Sequence, residues 1–98
     1  MPYLTDVEVG GCTAFPLLGI AAEPTIGDAA FWLNGKSSGK VEPLAAHSGC
    51  PVIIGSKWII NKWIHYYDQF RKFRCDLNEK TDSNNAFEKF RSQNLSNF

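Results

Sequence analysis

The sequence predicts an all-β fold, and three observations support that prediction. Apolar runs of strand length recur through the first two thirds of the 98 residues. Turn-forming residues separate these runs, from Gly10-Gly11 to Gly55. Residues 52–67 are dense in β-branched and aromatic side chains, which favours strands. Short strands at this spacing are typical of a sandwich or a barrel.

The individual elements follow from the same pattern. The best strand candidates are residues 29–33 (AAFWL) and 51–54 (PVII). The remaining turns are assigned to Pro16, Glu23-Pro24, Gly27-Asp28, Asn34-Gly35, Ser38-Gly39 and Ser48-Gly49. From residue 76 the chain is polar and rich in Asn and Ser, so residues 76–98 are predicted to form a flexible tail. At most one short helix is expected in that tail, around residues 85–92.

The segment KWIINKWIHYY, residues 57–67, contains the pair Lys-Trp twice, at Lys57 and Lys62. Side chains alternate between the two faces of a strand, so one of these lysines faces inward and the other faces solvent. A buried lysine requires a partner. Periodicity alone also allows a basic aromatic helix over residues 57–74, which would bind an acidic partner or a membrane surface.

Composition excludes several classes of function. Ten basic and ten acidic residues cancel, so no nucleic-acid partner is indicated. The apolar residues 14–22 follow an acidic segment and are interrupted by Pro16 and Gly19, so no signal peptide is predicted. The sequence has no run of about 18 apolar residues, and no membrane span is expected. The three cysteines lack the spacing of a zinc site, and their odd number leaves at least one thiol unpaired within the chain.

The stretch AAHSGCPVIIGSKW, residues 45–58, places His47 in a turn of small residues, followed by a strand and by Lys57. Taken alone, a single histidine of this kind indicates a structural or surface role. The spacing between the histidine and the lysine carries no specific chemistry by itself.

Four linked segments give that stretch a more specific interpretation. They are YLTDVEVGGCTAFP (3–16), GDAAFWLN (27–34), HSGCPVIIGSKWIINKWIH (47–65) and the final cysteine, Cys75. In this order they resemble the C-terminal catalytic region of the collagen-type prolyl 4-hydroxylase alpha subunits, which are iron(II) and 2-oxoglutarate dependent dioxygenases. The resemblance identifies residues 3–75 as the C-terminal portion of such a domain.

The resemblance implies a fold and two principal site residues. The family fold is a double-stranded β-helix, or jelly roll, of which this chain would hold a part. His47 matches the distal histidine that binds iron in this family. Lys57 matches the lysine that pairs with the distal carboxylate of 2-oxoglutarate, so Lys57 is the lysine expected to face inward.

Four further residues have roles implied by the resemblance. Thr13 would add a hydroxyl to the co-substrate pocket, with an ordinary strand threonine as the alternative. Trp63 would flank the substrate pocket, with a core tryptophan as the alternative. Cys50 and Cys75 match a pair that forms an intrachain disulfide in the collagen enzymes.

The match lacks one essential element. In this family the other two iron ligands come from an H-x-D motif, and neither H-x-D nor H-x-E occurs in this sequence, whose histidines are His47 and His65. We therefore expect a fragment or truncated form that contains no catalytic residue of its own and is inactive alone. The alternative is a non-catalytic peptide-binding module derived from the same fold.

The resemblance also implies an activity, cofactors and partners. The complete enzyme would hydroxylate C4 of a peptidyl proline while 2-oxoglutarate is decarboxylated to succinate. Iron(II) and 2-oxoglutarate would be required, and L-ascorbate would keep the iron reduced. The implied partners are a proline-containing peptide, with procollagen as a candidate, and protein disulfide isomerase as a beta subunit. The implied location is the lumen of the endoplasmic reticulum.

Overall fold

The computed structural model describes residues 1–72 and 74–78, and it confirms the predicted all-β class. Within these residues the chain divides into two compact units. The first comprises Met1–Trp32 and Pro43–Ile64, and it contains five short strands in two antiparallel sheets. The strands are β1 (Val9–Gly10), β2 (Thr13–Phe15), β3 (Ile20–Ala22), β4 (Ser48–Gly49) and β5 (Val52–Ile54). The jelly-roll topology stays a prediction.

Strand β2 is the centre of a three-stranded sheet with the order β3-β2-β4. Strands β2 and β3 form a hairpin, in which Phe15 pairs with Ile20 across the turn at residues 16–19. On the other side, Thr13 pairs with Gly49 and Ala14 pairs with Ser48. The prediction of a turn at Ser48-Gly49 is therefore wrong, because these two residues form a strand against β2.

Strands β1 and β5 form a second, two-stranded sheet with an irregular register at Val9-Gly10. Gly10 has a φ of 85°, and a Cβ atom at this position would collide with the carbonyl oxygen of Pro51. Glycine is thus required by both the backbone conformation and the close approach of the chain. The strand predicted at 51–54 is confirmed as Val52–Ile54.

Two other predicted elements are wrong. Residues 29–33 do not form a strand, since the pairing there is limited to an isolated bridge between Pro2 and Ala29. Of the strands expected over residues 52–67, the one before Gly55 forms at Val52–Ile54, whereas beyond Gly55 the described residues form only an isolated bridge between Ile59 and Tyr3. The helix considered for residues 57–74 is also absent from the described part, which has one 3-10 turn there, Gln69–Arg71.

The first unit has a thin core. Its buried apolar side chains are Tyr3, Phe15 and Ala45, and Thr13 is buried beside them with 3% of its surface exposed. Many large apolar side chains of the described residues are exposed. Thr13 and Phe15 both belong to β2, so this strand contributes two of these buried side chains.

The second unit comprises Leu33–Glu42 and the chain from His65 onward. Gly35 and Val41 form a bridge, and the Tyr66 hydroxyl donates a hydrogen bond of 3.0 Å to the carbonyl oxygen of Lys36. Partial burial raises the pKa of the Tyr66 phenol, and the negative charges of Cys75 and Glu42 raise it further.

The disulfide of the structure joins Cys12 to Cys50, so the predicted pairing of Cys50 with Cys75 is wrong. The register of β2 against β4 explains the correction. Cys12 and Cys50 lie directly beyond the paired residues Thr13 and Gly49, and the Cys50 amide donates a hydrogen bond of 2.8 Å to the Cys12 carbonyl. Their Cα atoms are 4.9 Å apart, which suits a disulfide. Cys75 is a free, exposed thiol.

The short helix predicted around residues 85–92 lies outside the described residues, as does most of the tail predicted for residues 76–98. None of the helical segments in the described part has the length and apolar character that crossing a membrane requires.

Candidate functional site

Lys57 lies partly buried against strand β2. Its ammonium nitrogen is 3.2 Å from the Thr13 hydroxyl oxygen and 3.5 Å from the Cys12 carbonyl oxygen, and it donates to both. The same nitrogen lies 5.6 Å from the centre of the Tyr3 ring, within the range of a cation–π interaction. Lys62 is exposed. Neither lysine lies in a strand, because β5 ends at Ile54, so the alternation of side chains along a strand does not explain the difference in their burial.

Tyr3 completes this group, which we call the Lys57 cluster (Tyr3, Thr13 and Lys57). The hydroxyl groups of Tyr3 and Thr13 are 3.1 Å apart, and each residue has 3% of its surface exposed. The bridge between Tyr3 and Ile59 holds the segment that follows Lys57 against the start of the chain. The sequence predicted Thr13 and Lys57 as site residues but gave no role to Tyr3, because a tyrosine at a segment start carries no distinctive spacing.

His47 is held by a hydrogen bond of 2.8 Å between its Nδ1 atom and the carbonyl oxygen of Ala45. A carbonyl oxygen can only accept, so Nδ1 carries a proton and the neutral ring keeps a lone pair on Nε2. This arrangement is typical of metal-binding histidines, whose second nitrogen is fixed by a backbone or carboxylate acceptor. Ala45 ends the 3-10 turn Pro43–Ala45, and His47 lies between this turn and strand β4, which begins at Ser48.

Aromatic neighbours also orient the His47 ring. Its centre lies 5.4 Å from that of Phe15 and 4.4 Å from that of Trp32. Phe15 and Trp32 meet edge to face at 5.5 Å. Because Ala14 pairs with Ser48, the same register continued by one residue sets His47 opposite Phe15.

The buried face of β2 connects the two sets of contacts. Thr13 and Phe15 alternate with the less buried Ala14, so both side chains lie on one face of the strand. Lys57 contacts Thr13, and His47 contacts Phe15. Two residues along a strand span about 7 Å. The lysine and the histidine therefore contact side chains two positions apart on the same face of β2.

The chemistry of the Lys57 cluster favours an anion. A lysine ammonium supplies hydrogen-bond donors only, and a hydroxyl beside it can add another. The shallow pocket of about 370 Å³ in the first unit has a different character, because it is lined by Glu23 and Asp28. Tyr3 is the one residue of the Lys57 cluster that also lines this pocket. The acidic lining does not suit a carboxylate ligand.

The described residues do not by themselves fit an iron site. They contain no group of three or more His, Cys, Asp or Glu side chains placed to hold a metal ion. A facial iron(II) site needs two histidines and one carboxylate, of which His47 would supply one histidine. Trp63 is 68% exposed, and its role beside a substrate pocket stays a prediction.

Comparison with known proteins confirms the resemblance. The chain is 42% identical over 77 residues to the human prolyl 4-hydroxylase subunit alpha-1. It is 47% identical over 79 residues to the rat subunit alpha-3, and 46% identical over 79 residues to the mouse subunit alpha-3. These alignments include 79% to 80% of this chain, but the chain spans about 14% of the length of each relative. No family model matches the sequence.

Proposed function

Because this chain is homologous over most of its length to one segment of the prolyl 4-hydroxylase alpha subunits, we propose that it forms the 2-oxoglutarate-binding side of a prolyl 4-hydroxylase domain. The observation that carries the proposal is the contact between Lys57 and Thr13, the two residues expected to hold the co-substrate. Lys57 and Thr13 are 44 positions apart in the sequence, so the fold brings Lys57 to strand β2 for this contact to form.

In this proposal the distal carboxylate of 2-oxoglutarate binds the Lys57 ammonium and the Thr13 hydroxyl. The pair is supported by burial, because Thr13 is almost fully enclosed and Lys57 is partly enclosed. Removing water strengthens a charge-assisted hydrogen bond relative to the same bond on an open surface. The remainder of the co-substrate extends along β2 toward Phe15 and His47.

His47 is the residue that we propose as an iron ligand, through its Nε2 atom. The hydrogen bond from Nδ1 to Ala45 supports this role, since it fixes both the tautomer and the ring orientation. The second histidine and the carboxylate are not supplied by the described residues, so we derive no reaction step through the metal. L-ascorbate, as the reductant for iron, belongs to the same proposal.

The substrate and the cellular setting are proposed on the same basis. A prolyl 4-hydroxylase acts on proline, so a proline-containing peptide is the proposed substrate, with procollagen as a candidate. Protein disulfide isomerase as a partner and the lumen of the endoplasmic reticulum as the location are proposed by analogy. The Cys12–Cys50 disulfide supports an oxidising compartment.

The central test compares two lysine variants in a titration of the full chain with 2-oxoglutarate, followed by nuclear magnetic resonance. Lys57→Met keeps the length of the side chain but removes the charge and the hydrogen-bond donors. We expect it to weaken binding by about tenfold to a hundredfold, since a hydrogen bond to a charged group contributes about 1.5 to 3 kcal/mol.

Lys62→Met is the matched control, because it removes an equal charge from an exposed position. The control should leave the affinity nearly unchanged. Equal losses in the two variants would show that a general electrostatic attraction, and not a site at Lys57, binds the co-substrate. No saturable binding to the wild-type chain would remove the basis of the proposal.

A non-catalytic peptide-binding module is the second candidate, and the single histidine ligand favours it. Such a module would bind proline-containing peptides with an affinity that does not depend on iron. A titration with a proline-rich peptide, with and without a metal chelator, separates the candidates. Binding that the chelator leaves unchanged, together with no response to 2-oxoglutarate, would favour the module.

A further inference from the structure

We propose that Tyr3 is a positioning residue that makes the Lys57 cluster select a carboxylate over a carboxamide. The inference rests on the proposed function, because it concerns the same co-substrate end. Tyr3 is not assigned to the site by its sequence. It enters through its hydrogen bond to Thr13 and through the position of its ring beneath Lys57.

The argument begins with the hydrogen-bonding capacity of Thr13. Its hydroxyl oxygen has one proton to donate and two lone pairs that accept. Lys57 can only donate, so the contact of 3.2 Å uses one of the lone pairs. The direction of the second contact, with the Tyr3 hydroxyl at 3.1 Å, then decides what Thr13 can offer to a ligand.

Burial determines that direction. Tyr3 has 3% of its surface exposed, so a phenol proton turned away from Thr13 would point into the protein instead of into water. Among the described residues, Thr13 is the hydrogen-bond partner of the Tyr3 hydroxyl. Leaving a buried proton without an acceptor is unfavourable. The favoured arrangement therefore has Tyr3 donating to Thr13.

With both lone pairs of Thr13 occupied, its own proton is the part that remains for a ligand. The cluster then presents donors alone, from the Lys57 ammonium and the Thr13 hydroxyl. A carboxylate accepts at both oxygen atoms and matches this pattern. A carboxamide has an NH₂ group in place of one carboxylate oxygen. That NH₂ group would face a donor, either the Thr13 hydroxyl proton or the Lys57 ammonium, and would have no acceptor.

Replacing Tyr3 by phenylalanine tests the inference, because Tyr3→Phe keeps the buried ring and the face beneath Lys57 and removes the hydroxyl alone. In the variant, Thr13 recovers a lone pair and can rotate to accept from an amide. We expect the preference for 2-oxoglutarate over its 5-amide, 2-oxoglutaramate, to fall by about threefold to tenfold, the equivalent of one hydrogen bond.

The measurement is the ratio of the two dissociation constants, obtained by titrating the full-length wild-type and variant chains. The matched control is Tyr67→Phe, which removes a phenol hydroxyl from a residue that is 85% exposed. A purely structural role for Tyr3 would weaken both ligands equally and leave the ratio unchanged, and that outcome would overturn the inference.

A second variant protects the test from a folding defect. Thr13→Val is nearly isosteric and removes the hydroxyl through which Tyr3 acts, so it should lower the same ratio. Adding Tyr3→Phe to Thr13→Val should produce little further change. A preserved ratio in Thr13→Val would overturn the inference even if Tyr3→Phe could not be purified.

The failures of the two proposals are distinguishable. If the wild-type chain binds neither ligand, the proposed function and the inference both fail. If the wild type binds 2-oxoglutarate through Lys57 but its preference over the amide survives in Tyr3→Phe, the proposed function stands and the positioning role of Tyr3 is refuted.

Discussion

Removing Cys12 should destabilise the protein, whereas removing Cys75 should not. The disulfide between Cys12 and Cys50 closes a loop whose ends are 38 residues apart in sequence. In the chain-entropy description, closing a loop of that length contributes about 4 kcal/mol at 25 °C. A domain of this size has a total stability of about 5 to 15 kcal/mol, so the loss would be a large part of the total.

The informative result is which cysteine substitution destabilises the protein, and not how large the loss of stability is. A disulfide between Cys50 and Cys75 would close a loop of about 25 residues and contribute about 3.5 kcal/mol. The two values are too close to separate by a measurement of stability. Cys12→Ser and Cys75→Ser separate the pairings directly, because each serine removes a cysteine used by one pairing alone.

The assay is urea unfolding of both variants and of the wild type without reductant. We expect Cys12→Ser to lower the unfolding midpoint strongly and Cys75→Ser to leave it near the wild-type value. Peptide mass spectrometry of the unreduced wild type should find Cys12 joined to Cys50 and a free thiol at Cys75. A stable Cys12→Ser and an unstable Cys75→Ser would refute the pairing and restore the one implied by the resemblance.

Two further predictions concern the second unit. A Cβ atom at Gly35 would lie 2.7 Å from a ring carbon of Tyr66, so Gly35→Ala should displace that ring and break its hydrogen bond to Lys36. The free energy of unfolding, measured in urea, should fall by about 0.5 to 1.5 kcal/mol. Adding Tyr66→Phe to Gly35→Ala should lower it little further, because both substitutions remove the same hydrogen bond. Fully additive losses would contradict this shared mechanism. Because the pKa of Tyr66 is raised, folding favours the neutral phenol over the phenolate. The stabilisation from Tyr66 is therefore complete below the ordinary tyrosine pKa near 10. It is lost as the pH rises through the pKa of Tyr66 in the folded protein. The measurement is the difference in phenolate absorbance between the wild type and Tyr66→Phe as the pH is raised. In the folded protein this difference should titrate above pH 10. A difference curve centred at or below the ordinary tyrosine pKa would contradict the prediction.

The all-β class was accessible from the sequence because it depends on local pattern, whereas the choice of Lys57 as the buried lysine came from the resemblance. Turn residues at short intervals limit the chain to short strands. The contact between Lys57 and Thr13 was accessible through the resemblance alone. No local pattern relates two residues that lie 44 positions apart.

The errors share a physical cause, which is that pairing decides whether a segment becomes a strand. Residues 29–33 have the composition of a strand but form only an isolated bridge, at Ala29, so propensity was overruled. Ser48-Gly49 has the composition of a turn but lies beside β2 and pairs with it. That same pairing selects Cys12 as the partner of Cys50, a choice that cysteine spacing leaves open.

The buried face of β2 is both the core of the first unit and the wall of the proposed site, and this limits which experiments are decisive. Thr13 and Phe15 are two of the few buried side chains, so their substitution will lower stability whether or not a ligand binds there. A loss of affinity in such variants therefore cannot identify a ligand contact by itself. Two experiments avoid this difficulty: the comparison of Lys57→Met with the control Lys62→Met, and the ratio of 2-oxoglutarate to 2-oxoglutaramate affinity in Tyr3→Phe. Unfolding would reduce the binding of every ligand, but it could not change the preference between two ligands of the same shape.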